Sequence, residues 1–320
     1  MKSQAAVLSD QQPAPRRRRR SGARREAMTG WAFMMPFALL FVLVFVVPIA
    51  VSVRESVFAQ VGTGDSLYGG GNLTSTFVGF DNFVHVLTNT RFWAGVGRVG
   101  LFGLIQVPLM ILVALGLALL LDSWLIRRVG GFRLGYFLPY AIPGIVAAMV
   151  WLYLYTPEIS PIVDLLSHLG IHVDLMGPGL VLFSMANMTT WTYTGYNMLI
   201  FLAALQTIPR DLYEAARVDG ASGWQVVLKI KVPLVRGAAL LAILLSIIGT
   251  VQLFNEPTVL AAVNSWMGAD YVPMMMAYNT MMGQLSPSGA GPASAISIVM
   301  ALLAGVLAAI YALLQKRFMR

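Results

Sequence analysis

Four polar residues, Asn187, Thr190, Thr194 and Asn197, recur at helical spacing inside an apolar stretch of the sequence. Because the spacings are three, four and three, the residues share one face of a helix, and Trp191 lies beside them. Amides and hydroxyls next to an aromatic ring suit a carbohydrate, whose hydroxyls need hydrogen-bond partners and whose C–H faces stack on rings. Hydrogen bonds between neighbouring helices, without any ligand, explain the same pattern equally well.

A second polar group consists of Gln252, Asn255 and Glu256, and its spacing again places the side chains on one helix face. Glu256 is the only acidic residue that we place within a membrane span, and an ionisable group at that depth is a candidate for a functional site. Pro257 follows at once and predicts a break near the outer end of this helix. Contact with interfacial water is therefore the alternative to a ligand for Glu256.

These polar groups belong to a chain whose composition is typical of membrane proteins. Of its 320 residues 58% are hydrophobic and 11% are charged, whereas soluble domains carry about 25% charged residues. A span needs about 20 apolar residues to cross a hydrocarbon core of about 30 Å. The sequence therefore predicts an all-α membrane protein with six transmembrane helices. These are expected near residues 31–53, 96–121, 134–155, 180–205, 238–260 and 293–314.

The positive charges are distributed unevenly over the connections between these spans. Nineteen of the 22 Lys and Arg residues fall on the side that holds both termini, and only Arg54, Arg91 and Arg98 fall on the other. Because basic residues mark the cytoplasmic side, both termini are predicted to be cytoplasmic. Residues 1–30 form a basic tail that we expect to be disordered, and residues 31–320 form the six-span domain. A basic run beside a span is typical of an orientation signal or a contact with anionic lipid, so nucleic acid is not an expected partner.

The cytoplasmic connection between the fourth and fifth spans, residues 209–236, combines charges with small residues. Asp211 is predicted to cap a short helix over residues 212–218, and Gly220 allows the chain to turn after it. Small residues let a partner approach the backbone closely, while neighbouring charges fix the register. A solvated loop between two helices is the alternative.

Eight residues of this connection form a specific pattern: Glu214, Ala215, Ala216, Asp219, Gly220, Ala221, Ile230 and Pro233. The pattern resembles the EAA loop of importer permeases in the ATP-binding cassette (ABC) family. One position departs from it, because Gly237 stands where a second proline is common. Residues 77–83, 132–140 and 254–257 resemble segments of carbohydrate permeases in the same family, so the likeness covers most of residues 31–320.

The resemblance implies a permease subunit of a binding-protein-dependent, ATP-driven importer of an oligosaccharide or disaccharide. In that family the loop forms a coupling helix seated in a groove of the cytoplasmic ATPase. The implied partners are a second homologous permease subunit, an ABC ATPase dimer, an extracytoplasmic solute-binding protein, the carbohydrate and the lipid bilayer. The implied location is the cytoplasmic (inner) membrane of a prokaryote. The two polar groups are then the candidate substrate pathway.

The sequence provides no site for ATP hydrolysis of its own. A phosphate-binding loop ends in Gly-Lys-Ser/Thr, and none of the four lysines follows a glycine. Catalytic residues are therefore not expected, and ATP and Mg²⁺ are expected on the partner ATPase. No metal site is expected either, because cysteine is absent and His168 and His172 lie in an outer loop beside Gly170. A secondary transporter driven by an ion gradient is the alternative function, although among the membrane spans only Glu256 supplies the ionisable group that it needs.

Overall fold

Helices make up most of the chain in the computed structural model, which describes residues 20–63, 72–123 and 129–318. The α-helices of these ranges are α1 (Arg20–Phe41), α2 (Val47–Glu55), α3 (Asp81–Thr88), α4 (Thr90–Leu121), α5 (Val129–Phe137), α6 (Gly144–Tyr155), α7 (Pro161–His168), α8 (Val181–Gln206), α9 (Arg210–Val218), α10 (Gly223–Val226), α11 (Val232–Leu234), α12 (Arg236–Val251), α13 (Asn255–Ala261), α14 (Pro273–Met281) and α15 (Ala290–Phe318). The strands are β1 (Phe58–Thr63) and β2 (Asn72–Phe77).

Four helical segments of the described residues are long and apolar enough to cross a membrane. They are Glu26–Glu55, Thr90–Leu121, Arg236–Ala261 and Ala290–Arg317, and they coincide with the first, second, fifth and sixth predicted spans. The protein is therefore a multi-pass membrane protein. Helix α1 begins at Arg20, within the predicted tail, while residues 1–19 lie outside the described part.

The third predicted span, residues 134–155, is a bent pair of helices. Residues Val129–Ala141 and Gly144–Tyr155 meet at 97°. Pro139 and Pro143 flank the bend, and proline disfavours helical backbone in the residue before it. Helix α6 has 12 residues, a length of about 18 Å, which is shorter than a hydrocarbon core of about 30 Å.

The fourth predicted span corresponds to α8, a helix of 26 residues without a charged side chain. It is not among the four segments above, because its polar residues lower its mean hydropathy. α8 packs along α4, and Met198 and Phe201 are completely buried in the same cluster as Met110. Gly195 brings α8 against the backbone carbonyl of Tyr136, in a space that any Cβ would occupy.

An antiparallel hairpin is the exception to the predicted all-α class. β1 and β2 pair from Phe58↔Phe77 to Thr63↔Asn72. Asn82 anchors the hairpin, because its amide donates to the carbonyl oxygens of Ser56 at 2.8 Å and of Phe58 at 2.9 Å. The sequence conceals these strands, since their Gly, Thr and Ser residues are typical of loops.

The connection between α8 and α12 contains short helices with clear boundaries. Pro209 precedes α9 as its N-cap, so the prediction that Asp211 caps this helix is wrong; Asp211 lies in the first turn. Gly220, with φ +80°, ends the helix in the left-handed conformation that glycine adopts readily. Ser222 and Gln225 form a capping box that starts α10, and a π-helical turn over Val227–Lys231 follows.

Candidate functional site

A cavity of about 220 Å³, called here the Glu256 cavity, lies between α4, α8, α12 and α13. Its polar lining includes Gln106, Thr189, Asn197, Gln252, Asn255 and Glu256. Among the lining residues that the structure describes there is no Lys, Arg or His. The cavity thus combines amide, hydroxyl and carboxyl groups without a basic side chain.

The helix that carries the second polar group is interrupted at this cavity. α12 ends at Val251, Gln252 is its C-cap, and α13 begins at Asn255. The break predicted at Pro257 therefore lies earlier in the chain, and Pro257 is accommodated in the first turn of α13, where backbone N–H groups lack helical partners. Gln252, Asn255 and Glu256 share the cavity without sharing one continuous helix.

Glu256 carries a nearly buried carboxyl group with few partners. The residue is 9% exposed, and the Thr189 hydroxyl lies 3.2 Å from its Oε1. The same hydroxyl lies 3.0 Å from the carbonyl oxygen of Met185, so its single proton serves two acceptors. The carboxyl oxygens therefore keep hydrogen-bonding capacity for a ligand that brings its own O–H donors.

Three tyrosines form an aromatic wall of the Glu256 cavity. The ring of Tyr140 stacks on that of Tyr196, with centroids 4.9 Å apart and planes at 18°. Tyr193 meets Tyr140 edge-on, with centroids 5.8 Å apart. None of these tyrosines is among the candidate residues taken from the sequence, although Tyr140 lies between Pro139 and Pro143 at the bend.

A second cavity of about 560 Å³, called here the Trp151 cavity, is lined by α4, α5, α6 and other residues of α8. Asn187 donates to the Tyr155 hydroxyl at 2.8 Å. The hydroxyls of Thr190 and Thr194 and the indole Nε1 of Trp151 are buried without a hydrogen-bond partner among the described residues. Buried polar atoms without partners are rare in proteins, and each one requires an explanation.

The predicted polar face of α8 is divided between the two cavities. Asn187, Thr190, Trp191 and Thr194 line the Trp151 cavity, whereas Asn197 lines the Glu256 cavity. The Asn197 amide nitrogen donates to the carbonyl oxygen of Tyr193 at 3.0 Å, and its Oδ1 is buried without a partner in the described chain. All eight candidate residues of the substrate pathway therefore line one cavity or the other.

The eight residues of the 209–236 connection that resemble the EAA loop are exposed or half-buried. α9 contains no buried residue. Glu214, Ala215, Asp219 and Gly220 are exposed, as is Pro233, while Ala216, Ala221 and Ile230 are half-buried. Two large apolar side chains nearby are also exposed, Val218 at 88% and Trp224 at 68%. Such a surface on a charged segment is typical of a contact with another protein.

A group of three side chains ties this connection to α4, and sequence reasoning missed it. Lys231 Nζ lies 2.5 Å from Oδ2 of Asp122 and 5.1 Å from the ring centroid of Tyr213. The Tyr213 hydroxyl is buried without a described partner. Burial, and secondarily the charge of Asp122, raise the pKa of Tyr213 above its usual value.

Comparison with known proteins gives a consistent set of relatives. The lactose transport system permease protein LacF of Rhizobium radiobacter is 31% identical over 72% of this chain and 74% of its own length. The trehalose/maltose transport system permease protein MalF of Thermococcus litoralis is 30% identical over 72% of this chain and 76% of its own. The sulfoquinovosyl glycerol transport system permease protein SmoG of Agrobacterium fabrum is 29% identical over 87% of both chains.

The fold also has a counterpart among solved structures. A chain of the bacterial alginate ABC transporter, solved in complex with an alginate pentasaccharide-bound periplasmic protein, aligns with a TM-score of 0.75 and 18% identity. The alignment covers 94% of this chain and 98% of that one. Residues 110–320 match the family described as "Binding-protein-dependent transport system inner membrane component". This chain belongs to that family, whose members are the permease subunits of ABC importers.

Proposed function

We propose that this permease conducts a carbohydrate of oligosaccharide or disaccharide size across the cytoplasmic membrane of a prokaryote. The observation that carries the proposal is the set of buried polar atoms without partners at the two cavities, on Trp151, Thr190, Thr194 and Asn197. A passing polyol supplies donors and acceptors for these atoms, which an empty interior does not.

The aromatic residues of the cavities support a sugar in particular. Tyr140 and Tyr196 present stacked rings in the Glu256 cavity, and Trp151 and Trp191 meet edge-on in the Trp151 cavity. Ring faces bind the C–H surfaces of a pyranose, while nearby amides bind its hydroxyls. The names of two relatives, which refer to lactose and to trehalose or maltose, favour the same class of substrate.

The proposed topology has six spans with both termini in the cytoplasm. The bent pair α5 and α6 serves as the third span, and α8 serves as the fourth. Polar side chains on α8 are tolerable in a membrane because they face cavities and neighbouring helices. The excess of basic residues on the side that holds the 209–236 connection supports a cytoplasmic location for that connection.

We infer that α9 is a coupling helix that docks on a cytoplasmic ATPase. Glu214, Ala215, Ala216, Asp219, Gly220, Ala221, Ile230 and Pro233 are the proposed coupling residues. Two properties of α9 support this role: it buries no residue within this chain, and it ends at a glycine in the left-handed region, which sets the angle of the chain after the helix. ATP and Mg²⁺ are then used by the ATPase dimer.

The proposed assembly contains a second permease subunit and an extracytoplasmic solute-binding protein as well. Large exposed apolar side chains support contacts with a second subunit and with lipid, for example Leu104 at 76% and Leu112 at 68% on α4. The alginate transporter of the same fold was solved with a periplasmic protein, and this supports the binding-protein partner.

Uptake into proteoliposomes tests the substrate assignment. The complete assembly, reconstituted with its binding protein, is supplied with ATP and with radiolabelled lactose, trehalose or maltose. We expect ATP-dependent uptake of a disaccharide that persists after ionophores collapse the ion gradients.

Thr190→Val and Thr194→Val, which remove the unpartnered hydroxyls at nearly constant volume, should reduce this uptake. Thr192→Val is the matched control, because Thr192 bonds the Met188 carbonyl oxygen of its own helix. Equal uptake in all three variants contradicts the proposed pathway.

A further inference from the structure

We propose that Asp122, Lys231 and Tyr213, called here the Asp122 cluster, transmit the movement of α9 to the cytoplasmic end of α4. They are positioning residues for transport, since none of them lines the Glu256 or the Trp151 cavity. The proposal rests on the proposed function, in which an ATPase moves α9.

The cluster joins α4 to two separate elements of the 209–236 connection. Asp122 is the C-cap of α4, Tyr213 lies on α9, and Lys231 is the last residue of the π-helical turn that leads towards α12. Lys231 contacts both of the others, at 2.5 Å from the carboxylate and 5.1 Å from the ring centroid. A displacement of α9 therefore reaches α4 through a single ammonium group.

Burial makes this link stiff. The side chains of Lys231 and Asp122 are only 13% and 17% exposed. Separating a largely buried ion pair leaves two poorly solvated charges, whereas a surface pair separates at little cost. The three elements are consequently expected to move together.

The position of Asp122 gives an independent reason for its pairing. The carboxyl end of a helix carries a partial negative charge, so an acidic residue there is unfavourable by itself. Asp122 occupies that position on α4, where a basic or neutral residue serves the helix better. Its carboxylate is explained by Lys231 rather than by the stability of α4.

The other contacts of α9 within this chain are few, so the contact of Tyr213 with Lys231 is important for its attachment to α4. α9 has no buried residue, and Tyr213 is one of its half-buried side chains. The π-helical turn adds a residue to the helical repeat and is a natural place for local rearrangement. The Asp122 cluster bridges this compliant turn directly to a long membrane helix.

The test uses the complete assembly in proteoliposomes, with the disaccharide that the unmodified assembly takes up best. Asp122→Asn, Lys231→Met and the double variant are compared, and Lys229→Met is the matched control, because Lys229 lies on the same turn but is exposed. Two quantities are measured: the amount of ATPase that copurifies, and the sugar taken up per ATP hydrolysed. We expect each single variant to lower uptake per ATP on the order of tenfold, a typical size for coupling between sites. The double variant should be no worse than either single variant, because the residues act as one unit.

Spin labels test the same link without breaking it. The chain has no cysteine, so Ser123→Cys and Arg217→Cys place labels beside the cluster, one just after the C-cap of α4 and one on α9. Their separation should stay constant between the nucleotide-free and ATP-bound assemblies, and it should change once Lys231→Met is added.

The outcomes separate this inference from the proposed function. If the ATPase copurifies and uptake per ATP is unchanged in both single variants, the Asp122 cluster does not transmit movement, and docking stands. A separation of the labels that changes on ATP binding without Lys231→Met overturns the inference in the same way. If no ATPase copurifies with the unmodified chain, the proposed function itself fails.

Discussion

The side chain of Asn255 lies against the backbone of Gly144, so close that a Cβ at position 144 would overlap its amide nitrogen. This contact locks α13, which carries Asn255 and Glu256, to the first residue of α6 just after the 97° bend. The shape of the Glu256 cavity therefore depends on a glycine, which has no side chain, at position 144.

Gly144→Ala should displace Asn255 and reduce uptake. Inserting a methyl group into a filled site typically costs about 1–3 kcal/mol of unfolding free energy, so the helix pair either separates or loses stability. Thermal unfolding of the purified assembly and disaccharide uptake are the measurements. Gly97→Ala on α4 is the control, since a Cβ at Gly97 meets open space. A variant at position 144 with normal uptake and normal thermal stability contradicts the importance of this contact.

Glu256→Gln should weaken sugar transport while preserving the cavity. The amide keeps the size of the side chain but replaces one carboxyl oxygen with an NH2 group, which cannot accept a hydrogen bond, so the variant differs by one hydrogen bond, about 1 kcal/mol. At subsaturating sugar we expect uptake to fall roughly fivefold, in line with that difference. Initial uptake rates over a range of sugar concentrations provide the measurement. Glu158→Gln, at an exposed position outside both cavities, should leave the rates unchanged.

Anionic sugars should be poor substrates, because the described lining of the Glu256 cavity has no basic side chain to pair with their charge. A disaccharide phosphate is therefore expected to compete poorly for uptake. Competition as strong as that of the neutral disaccharide would contradict this expectation.

Replacing Tyr196 tests the aromatic wall. Tyr196→Leu removes the ring that stacks on Tyr140, and aromatic pairs contribute about 0.5–1.5 kcal/mol beyond their buried area. Uptake should fall in Tyr196→Leu and be largely retained in Tyr196→Phe, which keeps the ring. If Tyr196→Phe is as impaired as Tyr196→Leu, the hydroxyl rather than the ring face is required.

Gly220→Val should uncouple the permease from its ATPase without affecting membrane insertion. The backbone at Gly220 has φ +80°, and a residue with a Cβ costs about 1–2 kcal/mol there. The end of α9 should therefore be rearranged, and less ATPase should copurify. Gly223→Ala is the control, because Gly223 lies three residues on without a positive φ or a close neighbour. Full copurification together with normal uptake in Gly220→Val would argue against docking through this turn.

Hydrophobic length was sufficient to predict the four apolar segments, since burial in lipid requires about 20 apolar residues whatever the partners. It did not reveal the bend at Pro143 or the interruption between Val251 and Asn255. The interruption depends on which backbone groups find partners in neighbouring helices, and a single sequence does not contain that information. Pro139 and Pro143 mark the place of the bend in the sequence but do not fix its angle.

The site shows the same division between local and distant information. Helical spacing within α8 groups Asn187, Thr190 and Thr194, which line the same cavity, because neighbours on a helix face are fixed by geometry. The stacking of Tyr140 on Tyr196 and the pairing of Asp122 with Lys231 join residues far apart in sequence. No spacing rule predicts such contacts.

The interruption between α12 and α13 lies beside the carboxyl group of Glu256, where the two helices can change their relative angle. A sugar bound in this cavity therefore contacts a break between two helices and not a continuous helix. A sugar too large for the cavity is then expected to block the movement of α12 relative to α13 and to stop the transport cycle, not only to be transported slowly. Such compounds are a rational starting point for inhibitors of the importer.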